Sequence, residues 1–354
     1  MAPFFASQSC DPFTDRTLPC TLGNYVQYSV DVRYASDIEA ALNFLGRSIG
    51  AGALGLWMHN LKSMSIVGWY EPSFSGTAIR IGTGVLGGEA LEFASAHGRT
   101  VVMGECPTVG IVGGYTQGGS HIVLSPKFGL TADQVLEWDV VTFDRVRMKA
   151  SRHQNENLFW ALCGGGGGGG TYAVVLGMTV RSYPDVPIAG FAMGMSSSQI
   201  CEDDWYSIIG SFNKLVSNKS FTIASITLYD GTEEQIGAMV SPWIKQVESL
   251  GIIYTRASAI STNNYNHLDI WLGPLPGGSF KVYLYQVGSR LIDTDTIKNH
   301  NDEFTSILRN IISRGAAAAI SAANAQPPEG ASLEDTAVLL AWRSAAMHMN
   351  IVSA

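Results

Sequence analysis

The residues best suited to chemistry lie in one glycine-rich stretch, GECPTVGIVGGYTQGGSH, which spans residues 104–121. Its six glycines and one proline form too broken a pattern for a helix or an ordinary strand. The glycines would let successive backbone N–H groups face one side and approach a flat or anionic ligand closely. A thiol (Cys106), a phenol (Tyr115) and an imidazole (His121) accompany them. We therefore expect this loop to hold a cofactor.

A second glycine-rich segment, Gly164–Gly170, precedes the apolar run TYAVVLGMTV. Consecutive glycines lose too much backbone entropy to form the interior of a helix or strand, so we expect a loop. Because glycines permit close approach, Gly170, Thr171 and Val174 are candidates to contact the same cofactor. The alternative is a flexible surface loop with no ligand.

A third motif, Gly82–Gly87, matches G-x-G-x-x-G, follows a predicted strand and opens a predicted helix. With Glu105 downstream as a ribose ligand, it is typical of a nicotinamide dinucleotide site. A dinucleotide domain needs several further βαβ units, however, and antiparallel-type strands follow instead. A tight strand-to-helix turn with no ligand is therefore the favoured interpretation of these glycines.

Composition limits the classes of partner. The 354 residues carry a net charge of −8, and no cluster of lysines and arginines provides a footprint for nucleic acid or an anionic membrane. No apolar run approaches the length of a membrane span, and the N-terminal sequence lacks the features of a signal peptide. We expect a small-molecule partner, no nucleic acid, no membrane and no metal.

The predicted elements indicate an α+β protein of two domains. Residues 1–186 open with a strand and a helix and continue with a βαβ-like unit, two short strands, a helix and a buried strand. Residues 187–354 combine strands with long amphipathic helices, and the alanine-rich tail predicts a helix at the C-terminus. Cys10 and Cys20 are close enough in sequence for a local disulfide, although nothing in their spacing requires one.

Five blocks of sequence resemble the fungal branch of the berberine-bridge-enzyme-like, FAD-linked oxidoreductases. They are CTLGNYVQYSVDV, LGRSIGAGALGLWMHNLK, GECPTVGIVGGYTQGGSH, KFGLTADQVLEWDVVT and NLFWALCGGGGGGGTYAVVLGMTV, which lie between residues 20 and 180. Weaker similarity, as in AWRSAAMH at residues 341–348, extends to nearly the whole chain.

This resemblance implies a PCMH-type FAD-binding domain of the vanillyl-alcohol-oxidase kind, covered by an α+β substrate domain with an antiparallel sheet. It also implies substrate oxidation by hydride transfer to flavin N5 and reoxidation by O2. Cys106 stands where the family attaches its flavin covalently, and Tyr115 where it stabilises charge at the flavin edge. The further cofactor-binding residues that the resemblance suggests are Gly46, Arg47, Ser48, Thr108, Gly110, Gly113, Gly114, Gln117, Gly118, Gly119 and His121.

The chain departs from the family pattern in places that bear on the cofactor. The histidine-bearing loop that links the flavin in many members is missing before Leu45, and Gly46–Ser48 are the remnant of a pyrophosphate loop. Ser120 replaces a glycine, which is costly where φ is positive. Catalytic bases in this family come from the substrate domain, and no motif identifies one here. A degenerate or non-redox binding relic is therefore the alternative to an active oxidase, and NAD-dependent dehydrogenation through Gly82–Gly87 is the third hypothesis.

Overall fold

The computed structural model describes most of the chain, namely residues 15–21, 26–42, 53–166, 168–195, 200–218, 226–272, 286–323 and 325–353. The predicted cofactor residues Gly46, Arg47 and Ser48 lie outside these ranges. So does the position before Leu45 at which the histidine-bearing loop is expected to be missing. Cys20 is disulfide-bonded, while its predicted partner Cys10 also lies outside them.

The first half begins with a small parallel unit. Strand β1 (Tyr28–Asp31) pairs with β2 (Leu54–Trp57), and helix α1 (Ala35–Leu42) lies between them in sequence. Ile38 of α1 is fully buried and packs with Val32, Val141 and Leu176. The predicted opening of strand followed by helix is confirmed.

A five-stranded antiparallel sheet forms the centre of this half, in the order β3-β4-β8-β6-β7. Its strands are β3 (Met64–Glu71), β4 (Phe74–Gly82), β6 (Val135–Thr142), β7 (Arg147–Ser151) and β8 (Ala173–Arg181). Helices α2 (Gly87–Ser95), α3 (Ser125–Phe128) and α4 (Glu156–Leu162) accompany it. β8 is buried along almost its whole length because it is the middle strand and is covered on both faces.

A separate core begins at Ile188. One sheet has the order β11-β10-β12 and the other β13-β15-β14. The strands are β10 (Ile188–Met195), β11 (Ile226–Tyr229), β12 (Tyr254–Ser261), β13 (Gln286–Asp293), β14 (Ala317–Ala322) and β15 (Ala345–Ser353), while β5 (Arg99–Thr100) and β9 (Tyr183–Pro184) form a short pair. The helices are α5 (Glu202–Asn218), α6 (Glu233–Ser249), α7 (Asn264–Leu272), α8 (Thr294–Asn299), α9 (Asn301–Ser313) and α10 (Ala341–Ser344).

These elements confirm the α+β class, and they correct two expectations. The C-terminal segment predicted as helix is β15, because pairing with β13 and β14 on either side outweighs the helix propensity of its alanines. The segment DTIKNHNDEFTSILRNIIS at residues 295–313, which the sequence predicts as one helix, is two helices that break at His300, whose φ of −129° is not helical. Among the described helices, none combines the length and apolar character that crossing a bilayer requires.

The chain returns to the first core after β14. Ala325 and Val338 are buried in that core, although they follow the second half in sequence. Arg343 donates two hydrogen bonds of 2.7 Å to the carboxylate of Asp133, and both side chains are almost fully buried. We call residues 325–343 the return segment. It places α10 against the glycine-rich loop of the first half, as described next.

Candidate active site

The glycine-rich loop 104–121 borders a cavity of about 220 Å³. A π-helical turn at Ile111–Tyr115 forms the middle of the loop, and the fully buried side chains of Ile111 and Val112 anchor it in the core. The cavity is lined by Gly87, Gly104, Glu105, Cys106, Val109, Ile111, Tyr115 and His121. The three chemically capable residues of the sequence motif are therefore brought together.

Backbone hydrogen bonds attach the loop to the start of α2. The N–H of Gly87 donates to the carbonyl of Val109 at 2.8 Å, and that of Gly88 to the carbonyl of Pro107 at 2.9 Å. Donors at the N-terminus of a helix commonly bind anions, but here loop carbonyls already accept them. This arrangement leaves no free donors on these two residues for a dinucleotide pyrophosphate.

The motif Gly82–Gly87 forms a tight strand-to-helix turn, as the favoured interpretation of its glycines predicts. A Cβ on Gly82 would lie 2.3 Å from the carbonyl oxygen of Leu61, and one on Gly84 would lie 2.3 Å from that of His59. These glycines are required by close approach of backbone, not by a ligand. The central sheet beside them is antiparallel rather than doubly wound, so the nicotinamide hypothesis is not supported by this geometry.

Cys106 is a free, exposed thiol in the turn that precedes the π-helical turn. Its neighbour Glu105 retains solvent access, yet the protein atoms around its carboxyl desolvate it and raise its pKa. A thiol on the wall of a cavity is placed to bond a ligand within it.

Tyr115 projects from the end of the π-helical turn into the cavity. Its phenol oxygen accepts a hydrogen bond of 3.2 Å from the hydroxyl of Thr131. Desolvation, opposed by this hydrogen bond, raises the pKa of Tyr115 well above its ordinary value. The phenol therefore stays protonated at neutral pH and can donate a hydrogen bond to a ligand atom that carries negative charge.

His121 follows a strained backbone position. Ser120 has a φ of 58°, which a non-glycine residue rarely adopts, and its hydroxyl donates to the carbonyl of Tyr115. The His121 ring stacks on Trp342 of the return segment with centroids 5.3 Å apart, and it lies 4.9 Å from the ring of His348 in β15. Desolvation, and secondarily His348, lowers the pKa of His121.

Four glycines of the two glycine-rich segments leave room for a flat ligand. A Cβ on Gly110, Gly113, Gly114 or Gly170 would meet nothing within 4 Å. These positions face open space, in contrast to Gly82 and Gly84. An extended cofactor could therefore approach the backbone at these glycines. The thiol of Cys106 and the phenol of Tyr115, which can donate a hydrogen bond, fit the FAD that the resemblance implies. At about 220 Å³ the cavity accommodates part of such a cofactor, not all of it.

Other predicted contact residues do not line this cavity. Gln117 is buried, and its side-chain amide donates to the carbonyl of Val112 at 3.2 Å, while its main-chain carbonyl accepts from the N–H of Gly164. Gly119, with a φ of 101°, faces Val338 and Gly164. Thr108, Gly118 and Thr171 are exposed, and Val174 packs toward the small parallel unit. Gln117 and Gly119 contact other parts of the protein, so we assign them to supporting the loop and not to contacting a ligand.

Trp342 and His348 are the residues that sequence reasoning missed. Both belong to the weakly matching block AWRSAAMH, which carried no motif of its own. The alternation of apolar and polar residues through Met347, His348, Met349 and Asn350 is the signal that could have identified a strand and placed His348 on its less buried face.

The family described as FAD binding domain matches residues 40–145 of this chain. The FAD-linked oxidoreductase ZEB1 of Gibberella zeae is 38% identical, over 98% of this chain and 66% of its own length. The FAD-linked oxidoreductase sthB of Phaeosphaeria nodorum is 38% identical, over 80% of this chain and 99% of its own length. The chain belongs to the FAD-linked oxidoreductases.

The fold of this FAD-linked oxidoreductase agrees with that assignment. The crystal structure of the VAO-type flavoprotein MtVAO615 from Myceliophthora thermophila C1 matches with a TM-score of 0.84 and 35% identity, over 97% of this chain and 68% of that one. The PCMH-type architecture expected from the sequence is confirmed, and FAD is the cofactor of the family. The chain spans slightly less than two thirds of the length of the ZEB1 relative.

Proposed function

We propose that the protein oxidises a small hydrophobic molecule of fungal secondary metabolism with FAD bound along the loop 104–121. The observation that carries the proposal is the meeting of Cys106, Tyr115 and His121 in one cavity beside glycines that face open space. The apolar side chains of Val109 and Ile111 in the same wall favour a hydrophobic substrate. The relatives named above come from fungi, which supports the metabolic setting.

Each side chain has a role in this proposal. Bound FAD would supply the redox chemistry, accepting a hydride at N5 and passing the electrons to molecular oxygen. Cys106 would hold the cofactor covalently, and Tyr115 would donate a hydrogen bond to the edge of the ring that becomes negatively charged. Gly110, Gly113 and Gly114 would admit it to the backbone, and Gly170 with Thr171 and Val174 would lie toward its other end. The N-terminal 186 residues would form the FAD domain and residues 187–354 the substrate domain.

The visible spectrum of the purified protein, before and after acid precipitation, tests the proposal. We expect yellow protein whose colour remains with the pellet, as a covalent flavin requires. Colour that leaves with the supernatant would show that the flavin is held without Cys106.

Colourless protein that takes up no added FAD would contradict the proposal. That result would favour a non-redox binding relic of the same family. Tight binding of NAD(H) in its place, measured by fluorescence titration, would favour the nicotinamide hypothesis.

A further inference from the structure

Three rings join the cavity to the second core. His121 comes from the loop, Trp342 from α10 and His348 from β15, and we call them the ring cluster. The centroids of His121 and Trp342 are 5.3 Å apart, those of His121 and His348 4.9 Å, and those of Trp342 and His348 5.3 Å. Each ring therefore contacts the other two, although their positions in the sequence are up to 227 residues apart, from His121 to His348.

The two imidazoles of the ring cluster differ in access. His121 is exposed and lines the cavity. His348 lies on the central strand of its sheet, and its Nδ1 is buried with no hydrogen-bond partner among the described residues. A buried imidazole that lacks a partner for one nitrogen cannot accommodate a second proton readily, because the charged form would need two hydrogen-bond acceptors.

The charged and titratable groups around the ring cluster do not favour imidazolium. The cavity side presents Glu105, Cys106 and Tyr115, the sheet side presents His348, and Arg343, next to Trp342, is neutralised by Asp133. Among the described residues, the histidines that pair with a carboxylate are His153, with Glu71, and His300, with Glu303, and neither belongs to the ring cluster. Desolvation lowers the pKa of both histidines, and His348 lowers that of His121 further. His121 is thus a neutral base at neutral pH.

We propose that His121 is the catalytic base, taking up the proton released when substrate is oxidised, and that His348 and Trp342 position it. This proposal rests on the function proposed above, and it departs from the resemblance, which places catalytic bases in the substrate domain. Oxidation of an alcohol to a carbonyl removes a hydride from the carbon that carries the hydroxyl group, and bound FAD would accept it. The remaining hydroxyl proton passes to the imidazole of His121, and atoms and charges then balance.

Other cavity groups are less suited to this role. The phenol of Tyr115 already carries its proton because its pKa is raised. Cys106 is committed to holding the cofactor. Glu105 could accept a proton, but it adjoins Cys106 in sequence, whereas His121 lies against Trp342 and His348, on the side where the second half of the chain meets the cavity.

Titration of the seven histidines by NMR in the FAD-loaded protein tests the pair His121 and His348 without a substrate. Labelling of the imidazole Cε1 carbon and single His→Gln variants identify each signal. We expect His121 and His348 to titrate below the ordinary pKa of about 6.5. In His348→Gln, the pKa of His121 should rise, because a proton on the neighbouring imidazole, which opposes protonation of His121, can no longer be present. The control, His153→Gln at an exposed position, should leave it unchanged.

The kinetic experiment uses any alcohol, found by screening, that reduces and so bleaches the flavin in the absence of oxygen. The rate of bleaching should fall as pH falls through the pKa measured for His121, and His348→Gln should move that limb to higher pH by the same shift. His121→Ala should slow bleaching by about 10²- to 10⁴-fold and regain part of the rate with added imidazole, which a purely structural residue would not do.

The outcomes separate this inference from the proposed function. A normal pKa for His121, or no response to His348→Gln, overturns the inference even if the protein is yellow and active. Loss of the acid limb in Glu105→Gln instead of His121→Ala assigns the base to Glu105. Failure to bind FAD overturns the proposed function, and with it the role of His121.

Discussion

Ser120 shows how a single residue records the geometry of the loop. At φ of 58° its Cβ is strained, and its hydroxyl, which donates to the carbonyl of Tyr115, partly offsets that cost. The strained residue lies between Tyr115 and His121 in the sequence, and both of these side chains line the cavity. It therefore fixes the relative directions of two cavity side chains that we assign to chemistry.

Substitution of Ser120 separates the strain from the hydrogen bond. Ser120→Ala and Ser120→Gly both lose the hydroxyl, but only alanine retains a Cβ at positive φ. We expect the alanine variant to be less stable than the glycine variant by about 1 kcal/mol in chemical denaturation. At Ser313, near the end of α9, the order should reverse, because glycine is the poorer helix former. The same order at both positions would show that Ser120 is not strained.

The return segment is the element that connects the two cores at the site. Arg343 follows Trp342 directly, so the buried ion pair with Asp133 also holds the indole that stacks on His121. Arg152 adds a hydrogen bond of 2.8 Å to Asp335 in the same segment. Ala325 and Val338 complete its apolar contact with the first core.

Loss of the Arg343 guanidinium should be costly. Arg343→Met leaves the carboxylate of Asp133, 1% exposed, without its cation, so we expect a loss of about 3–5 kcal/mol in the free energy of unfolding. Arg147→Gln breaks a pair in which the arginine is 55% exposed, and it should cost less than about 1 kcal/mol. The double variant Arg343→Met with Asp133→Asn should recover part of the loss. Equal effects of the two single variants would contradict a structural role for the return segment.

Substitution of glycine by alanine should have different effects in two turns. Gly84→Ala places a Cβ 2.3 Å from the carbonyl oxygen of His59, so denaturation should show a clear loss of stability. Gly110→Ala has φ of −64° and meets nothing within 4 Å, so the FAD-free protein should keep its stability. In a Cys106→Ala background, where the flavin can dissociate, FAD affinity should nevertheless fall by about tenfold or more, a loss of roughly 1.4 kcal/mol, because the methyl group enters the space that we assign to the cofactor. Unchanged FAD affinity in Gly110→Ala would place the cofactor elsewhere.

At the scale of the whole molecule, the sequence predicted local features well and long-range ones poorly. Cys106, Tyr115 and His121 lie within one loop, so their meeting could be inferred from a short glycine-rich stretch. β15 could not, because its strand conformation depends on pairing with β13 and β14. The approach of Trp342 and His348 to His121 depends in turn on that pairing and on the return segment. For the same reason the residues that we propose to position His121 were missing from the sequence-based hypothesis.

Cofactor attachment links Cys106 to the stability of the whole molecule. If this thiol holds the flavin, Cys106→Ala should lose covalent flavin entirely, so denatured protein should show the bare chain mass and acid precipitation should release the colour. Cys201→Ala, which removes another exposed free cysteine, should behave as wild type.

The same pair of variants should differ in their response to added FAD. A dissociable ligand that binds only the folded state stabilises it by RT ln(1 + [L]/Kd), about 2.7 kcal/mol at 100 times Kd. The melting temperature of Cys106→Ala should therefore rise with FAD concentration, whereas wild type and Cys201→Ala, already carrying their flavin, should not respond. If wild type has the bare chain mass and its melting temperature also rises with FAD, the cofactor is held by the loop alone and Cys106 serves another purpose.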